Sequence, residues 1–513
     1  MSLQEESALA IGSGQILLSL AESWYESASS KLTVYVTNKA PTDMGKLTEL
    51  HEQTRNNENE ITLNMIAAVG DEDLNWRAIV RPFQFILYVS EHGELEELRS
   101  VQQACIAERK QMLPAIAIRG IGMAGPLLHP DGDGHWESAW LRLHSSVFPQ
   151  KQTPEVFSTA AAGALSSLIV HEWHKAITGE PELEHRNQCF ILDPLMLTGS
   201  WHSFLPHPLV SAYDAARPME NMELNLRINH EQVSPEVWFT AFNQLTSTVT
   251  GIFHAWEEAD LIQLPLAQCL VQPTDPLSKE PVQLLPTIVR IGLTHVEARR
   301  ESGLAGLEAY VARIIPLLFA VFPPHQQEGI SIGAGCDITE AVGRGVRACL
   351  TKELAKRSLS DEPTVVQRIA CPLIEDVRCL YYLQALTTLE GESLIAVGEP
   401  LLGFPTVWVY SASSWYGSVD LSFTLALRQS LQKALSKTER TAPSPILRKD
   451  HEVQNITISN GEPLSYSSLM LSAIETLKQC DKHLKVFELN SNSLWGKGPF
   501  VAYGVVLGEE ESP

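Results

Sequence analysis

Four apolar residues, Ala8-Leu-Ala-Ile11, run into Gly12-Ser-Gly14, and a second apolar stretch follows without a break to Leu20. This order constrains the chain more than any other stretch, because it is the pattern of a buried parallel strand, a tight turn and the helix it feeds. Gly12 and Gly14 are the first candidate binding residues: without side chains they let backbone N–H groups approach a phosphate at a helix N-terminus. The ligand-reading part of the pattern is thinner. Leu17 stands where the third glycine of G-x-G-x-x-G belongs, and the next strand, Leu32-Thr-Val-Tyr-Val36, runs into Thr37 and Asn38 rather than an acid. The cradle is therefore read as vestigial, beside the plainer reading of a turn required by packing.

Phe83-Gln-Phe-Ile-Leu-Tyr-Val-Ser90 and Leu113-Pro-Ala-Ile-Ala-Ile118 read as further strands, with helix-forming residues from Glu94 to Lys110 between them. Trp76–Val80 continues the pattern in a looser form, and Gly120–Pro130 reads as a glycine-dense turn. Strands separated by helix-length segments predict a Rossmann-like, mostly parallel sheet covered on both faces. The small-residue run Ser158–Val170 predicts a helix that packs closely on a neighbour.

With 513 residues, two or three domains are expected. A formal net charge of −23 argues against a nucleic-acid backbone or an anionic membrane as the main partner. No apolar run reaches the ~18 residues of a membrane helix, and the N-terminus lacks the basic start of a signal peptide. Eight scattered cysteines with no C-x-x-C pair fit a reducing, cytoplasmic setting.

The order of strand, Gly-x-Gly, helix, "ILYVSEHG", "LPAIAIRGIGMAGPLLHP", "HWESAW", small-residue helix and "FLPHPLV" resembles the ThiF and ubiquitin-activating superfamily over residues 8–210. In that superfamily one cysteine pair commonly follows the Gly-Pro turn and its mate follows His-Pro. Here those places read His135-Trp-Glu-Ser138 and His207-Pro-Leu-Val210, so a four-thiolate zinc site is not expected. The resemblance implies the fold and does not imply adenylation.

The region from 212 to 285 is punctuated by prolines, with Val237–Leu245 helical, and a domain boundary is placed near 215. The expected domains are 1–215, ThiF-like, and 216–513. In the second, Thr294 with Glu297 has capping-box spacing at the head of a helix reaching Arg313. Ile330–Asp337 leads into the helix Thr339–Leu354, and Phe404–Tyr410 precedes a helix from Ser422 to Leu435. Asp337-Ile-Thr and Asp420-Leu-Ser suggest a weak internal repeat.

These segments resemble the YcaO family of ATP-using cyclodehydratases, which implies an α+β domain. "GLTHVEAR…GLEAYVAR" is similar to the family's first glutamate helix and "GAGCDITEAVGRGVRACLTKELAKR" to its second. Carried over by position, Glu308 matches the first glutamate; the second falls on Val311, and the arginine is displaced to Arg313. Glu353 and Arg357 match the acid and base of the later helix. Mg-ATP needs several converging carboxylates, so partial loss implies a non-catalytic homologue and no resident cofactor.

Both halves together resemble the ocin-ThiF-like proteins of thiazole/oxazole-modified bacteriocin maturation. That resemblance implies an auxiliary partner that captures the precursor's leader peptide and delivers it to a YcaO-type cyclodehydratase, and a homodimer. Relatives carry a winged-helix peptide-recognition segment ahead of the first strand. Only seven residues precede it here, and Met-Ser-Leu reads as a cloning remnant on a truncated chain. The competing expectation is an active ATP-dependent cyclodehydratase or adenylating enzyme, with Glu308 and Glu353 converging on magnesium. A third is a structural subunit without peptide contact.

Other features read more plainly. His171-Glu-Trp-His174 spaces its histidines three apart rather than the four of a zinc helix. Asp131-Gly-Asp-Gly-His135 lacks the later ligands of a calcium loop and reads as a surface turn. Cys336 beside a glycine turn reads as a small buried residue rather than a stabilised thiolate. Ser411–Ser414 with Trp415-Tyr416-Gly417 reads as a strand-end loop whose aromatics pack. Glu509–Glu511 reads as a solvated tail.

Overall fold

In the computed structural model the apolar opening becomes a strand, β1 (Ala8–Gly12), buried along its whole length. The structure describes residues 8–27, 31–56, 63–67, 74–130, 135–149, 157–178, 187–210, 214–228, 233–278, 281–359, 363–438, 444–448, 453–461 and 466–508. Residues 1–7, 131–134 and 509–513, and with them most of the Asp-Gly-Asp-Gly turn and the acidic tail, lie outside these. Two compact units form. The first takes Met1–Ala212, Ser247–Gly251 and Ser278–Gln283; the second takes Tyr213–Thr246, Ile252–Leu277 and Leu284–Pro513.

In the first unit β1 is followed by α1 (Gly14–Ser27), β2 (Leu32–Val36), α2 (Met44–Asn56), β3 (Leu63–Ala67), α3 (Trp76–Val80), β4 (Phe85–Ser90) and α4 (Leu95–Ala107). Then come β5 (Gln111–Ile118), β6 (Ile121–Ala124), α5 (Trp136–Trp140), α6 (Thr159–Thr178), β7 (Gln188–Asp193) and β8 (Thr198–Ser203). They build one sheet in the order β3-β2-β1-β4-β5-β6-β7-β8. β3 to β5 pair in parallel and β5 to β8 antiparallel. Because successive side chains alternate, β1 feeds two cores. Ala8 and Ala10 join the cluster with α1 and α6, while Leu9 and Ile11 join that with α3, α4 and α5. A strand buried on both faces must be apolar at every position, which is why this stretch shows no alternation.

Two local readings change. Trp76–Val80 is helical because the Asn75 side chain accepts the Ala78 N–H and caps a turn. Ile121–Ala124, inside the glycine-dense turn, is strand β6, since Arg119 and Gly120 take up the reversal with φ of 48° and 83°.

The second unit starts with β9 (Arg217–Pro218), α7 (Met222–Asn225), α8 (Pro235–Leu245), β10 (Phe253–Glu257), β11 (Ala267–Pro273) and β12 (Ile288–Gly292). Then follow α9 (His295–Arg313), α10 (Ile315–Leu318), α11 (Pro324–Glu328), β13 (Ser331–Gly335), α12 (Ile338–Ser358), β14 (Val365–Ala370) and α13 (Val377–Glu390). β15 (Leu394–Gly398), β16 (Thr406–Ser411), β17 (Ser414–Val419), α14 (Phe423–Ser436), β18 (Ile446–Leu447) and β19 (Gln454–Asn455) come next. The described chain closes with α15 (Tyr466–Gln479), β20 (His483–Glu488), α16 (Ser491–Trp495) and β21 (Val501–Gly508).

Three sheets result: β10-β11-β12; β13-β21-β20-β9; and β17-β16-β15-β14-β18, with β19 also on β14. The molecule is thus mixed α/β, with one mostly parallel sheet and further, largely antiparallel ones. Trp415-Tyr416-Gly417, read as a loop, lies inside β17, because Ala412 and Ser413 at φ of 46° and 62° make a two-residue hairpin turn back from β16. The Trp and Tyr do pack, into the two cores of this unit. Among the described residues no helix is long and apolar enough to cross a membrane.

Candidate functional site

In the first unit the turn between β1 and α1 has the backbone geometry of an anion cradle. Gly12 lies at φ 155°, and a Cβ there would stand 2.1 Å from the Val89 carbonyl oxygen; Gly14 lies at φ 79°. Both positions require glycine. Two of the donors at this turn are already taken by the chain. The Gly14 N–H donates to Thr42 Oγ1 at 2.8 Å and the Gln15 N–H to Glu91 Oε2 at 2.8 Å. Ser13 Oγ accepts the Ala40 N–H at 3.0 Å. An internal carboxylate, from the loop after β4, thus sits where a phosphate would be received, and a Cβ on Gly14 would fall 2.0 Å from its oxygen. A phosphate about 4 Å from that carboxylate would meet a repulsion on the order of 4 kcal/mol at the effective dielectric of a protein surface. Glu91 was invisible as a partner in the sequence; its only signal was its place directly after the strand that pairs with β1.

The segments around Ser138 and His207, where the resemblance drawn from the sequence would place cysteines, do come together, through side chains of another kind. Ser138 Oγ accepts the His207 N–H at 3.1 Å, while Arg142 donates to the carbonyls of Leu205 at 3.1 Å and Pro206 at 3.0 Å. Burial, with the Arg142 charge beside it, pulls the His207 imidazole down to about 2. It is a neutral ring whose Nδ1 accepts the Leu209 N–H. His171 and His174 both project from α6 toward a cavity of about 340 Å³ that Ser23, Glu26 and Ser167 also line. No cluster of three or more metal-binding side chains occurs among the described residues.

In the second unit Glu301 and Glu308 of α9 and Glu340 of α12 each meet an arginine. Thr294 caps α9 by accepting the Glu297 N–H, and Asp337 caps α12 by accepting that of Glu340. The two helices are linked by ion pairs between their side chains. Arg344 then lies between Glu308, which takes its Nε at 2.6 Å and Nη2 at 3.1 Å, and Glu301, which takes Nη1. Glu308 Oε1 also accepts the Ala334 N–H of β13. Arg300 is held by both oxygens of Glu340, at 2.6 and 2.7 Å. Arg347 donates to Asp420 at 3.0 Å, and the other Asp420 oxygen accepts Gln429 Nε2. Burial works against the Arg344 charge, but Glu301 and Glu308 more than offset it and hold its pKa well above the ordinary arginine value. Burial likewise opposes the Glu301 charge, and Arg344 reverses the balance and lowers its pKa.

The sequence-nominated trio separates. Glu353 is nine positions beyond Arg344 in α12, about two and a half turns. It therefore leaves the helix on the side away from Glu308, where it pairs with Lys356 at 2.7 Å. Arg357 reaches Glu399. Asp420, read as the counterpart of Asp337, does not cap its helix: Ser422 does, and Asp420 is buried against Arg347. Burial pushes the half-buried Cys336 thiol up. The acids and guanidinium groups around Arg300, Arg344 and Arg347 are thus matched to one another. Arg344 and Arg347, the residues that close the set, stood unmarked in the sequence, although both fall on the helical face shared with Glu340 at spacings of three and four.

No family model and no curated protein sequence matches this chain. Solved structures do. A heterocyclase in complex with substrate and cofactor is similar at a TM-score of 0.57 and 12% identity, over 98% of this chain and 80% of that one. The heterocyclase TruD is similar at 0.54 and 12%, over 98% and 79%. MccB of E. coli, solved with succinimide, shares 13% identity over 41% of this chain and 67% of its own, at a TM-score of 0.32. At these identities the likeness to the heterocyclases is one of fold, and it runs through both units.

Proposed function

We propose that this chain is an auxiliary protein of thiazole/oxazole-modified peptide maturation, of the ocin-ThiF-like kind. It binds a precursor peptide by its leader and presents it to a YcaO-type cyclodehydratase in the cytoplasm without itself consuming ATP. The heterocyclase fold along 98% of the chain supports the peptide-modifying setting. The observation that carries the non-catalytic reading is the arginine-matched acid set of α9 and α12, where Glu301, Glu308 and Glu340 all face guanidinium groups. Glu91 in the cradle of the first unit points the same way. Holding a peptide needs main-chain and apolar contacts, and neither depends on a nucleotide pocket.

Calorimetry tests both halves of the reading. Mg-ATP titrated into the chain is expected to give no saturable heat up to millimolar concentration. A heterocyclase precursor peptide that retains its leader is expected to bind in the micromolar range with or without nucleotide. Saturable Mg-ATP binding that disappears in Glu308→Gln would overturn the reading in favour of an active ATP-dependent cyclodehydratase. Absence of peptide binding would leave a structural subunit.

A further inference from the structure

We propose that the exposed face of α13, together with the loop between β10 and β11, docks a cationic amphipathic helix of a partner protein. The inference rests on the surface of the second unit alone and stands apart from the reading of the ion-paired acids. Along α13, Cys379, Tyr382 and Leu386 turn into the core. The other side carries Val377, Leu380 and Tyr381, with Leu373 just ahead of the helix, all exposed. Val377 and Tyr381 are one turn apart and neighbours on the helix surface. Tyr381 Oη donates to the Pro265 carbonyl at 2.7 Å, which holds against this face the loop bearing Ile262 and Leu264. Ile262, Leu264 and Val377 are 74%, 80% and 77% exposed. Single exposed apolar residues are ordinary, but six large ones from two segments joined by a hydrogen bond form a patch of the kind that marks a partner site.

The chemistry of the rim selects the occupant. Three exposed acids, Glu257, Asp260 and Glu375, flank the patch residues in sequence, no lysine or arginine occurs in 257–266 or 371–377, and Arg378, next on α13, is neutralised by its ion pair with Glu297. A second copy would bring these acids against their own kind, on a chain of net charge −23, and like charges brought together oppose association. A helix already spends its backbone N–H and C=O groups internally, so this face offers an extended peptide no strand to join. An amphipathic helix with an apolar stripe and basic flanks satisfies both the patch and its border.

The probe is a fluorescein-labelled Leu/Lys peptide of about 18 residues, amphipathic as a helix, titrated by anisotropy into the full chain. Saturable binding is expected, weaker as salt rises. Val377→Asp and Ile262→Asp, at exposed positions on the two separate segments, are each expected to weaken it about tenfold or more, with unchanged circular dichroism and melting. A scrambled peptide of equal composition and no apolar stripe is expected to bind about tenfold more weakly as well. Binding as tight as wild type in both variants, or binding of the scrambled peptide as tight as that of the amphipathic one, overturns the proposal. So does sedimentation showing a dimer of the wild type that Val377→Asp turns into monomer, which would make a second copy the occupant.

Discussion

The Glu91 carboxylate does for α1 what a bound anion does at other helix starts: it accepts an N–H that has no partner inside the helix and faces the positive end of the dipole. Glu91→Ala is therefore expected to lower the stability of the first unit by about 1 kcal/mol. Glu91→Gln keeps an acceptor oxygen, so it should lose less; its own loss measures the charge–dipole part, and the further loss in Glu91→Ala measures the hydrogen bond. Urea unfolding checks both, and equal losses in Ala and Gln would place the effect in charge alone. Arg344 carries a larger share in the second unit, because its removal strands two acids at once. Arg344→Leu is expected to cost about 3 kcal/mol, the lower end for breaking a buried pair, since these groups keep some water contact. Arg344→Leu combined with Glu308→Gln should recover part of that loss. A double-mutant cycle gives the coupling, and strict additivity of the two substitutions would show that Arg344 and Glu308 do not stabilise each other.

At the scale of elements, what the sequence revealed followed from how completely each element is buried or capped. β1 and β4 were legible because a central parallel strand must be apolar on both faces. α9 and α12 were legible because Thr294 and Asp337 are caps with their own chemistry. β6 and β17 were not, because the turns before them place Arg119, Ala412 and Ser413 at positive φ, where glycine or asparagine is the usual signal. The ion pairs of α9 and α12 were hidden for another reason: helical spacing tells which residues share a face, not which helix lies opposite. The same contrast makes two glycines testable. Gly163, inside α6, has nothing within 4 Å of where a Cβ would stand, so Gly163→Ala is expected to stabilise by about 0.5–1 kcal/mol through helix propensity. Gly333 of β13 packs its backbone on α12, and a Cβ there would stand 1.9 Å from the Ala341 oxygen and 2.4 Å from the Gly345 nitrogen. Gly333→Ala must push strand and helix apart, and its melting temperature should fall by many degrees while that of Gly163→Ala rises. Equal shifts in both would mean that this contact yields more easily than close packing allows.

For the molecule as a whole, the two units carry different acid triggers, and this predicts the order in which they fail. In the first unit His207 is buried and neutral, its pKa depressed to about 2 by burial and by Arg142. An unfolded histidine titrates near 6.5. The folded form binds no proton over the range where the unfolded form gains one, so stability is full above about pH 6.5 and declines as pH falls below it. At pH 5 the loss is about 2 kcal/mol. In the second unit Asp376 is fully buried at the head of α13, where its carboxylate accepts the N–H groups of Cys379 and Gly461 and pairs with Arg428. Burial alone would raise its pKa, but the Arg428 and backbone donors outweigh that and hold it well below the usual carboxylate range. Its contribution is present above the unfolded value near 4 and is lost only as pH drops further. Acid titration should therefore unfold the chain in two stages, the first unit weakening from about pH 6, and the second, where burial also holds His254 below the ordinary histidine value to a smaller extent, giving way mainly below about pH 4. Hydrogen exchange read separately on β1–β5 and on β14–β17 distinguishes the stages. His207→Gln, which cannot take up a proton, should flatten the first stage between pH 7 and 5 and leave the second in place, while Asp376→Asn should do the reverse. A single transition unmoved by either substitution would show that some other set of groups governs the acid limit of both units.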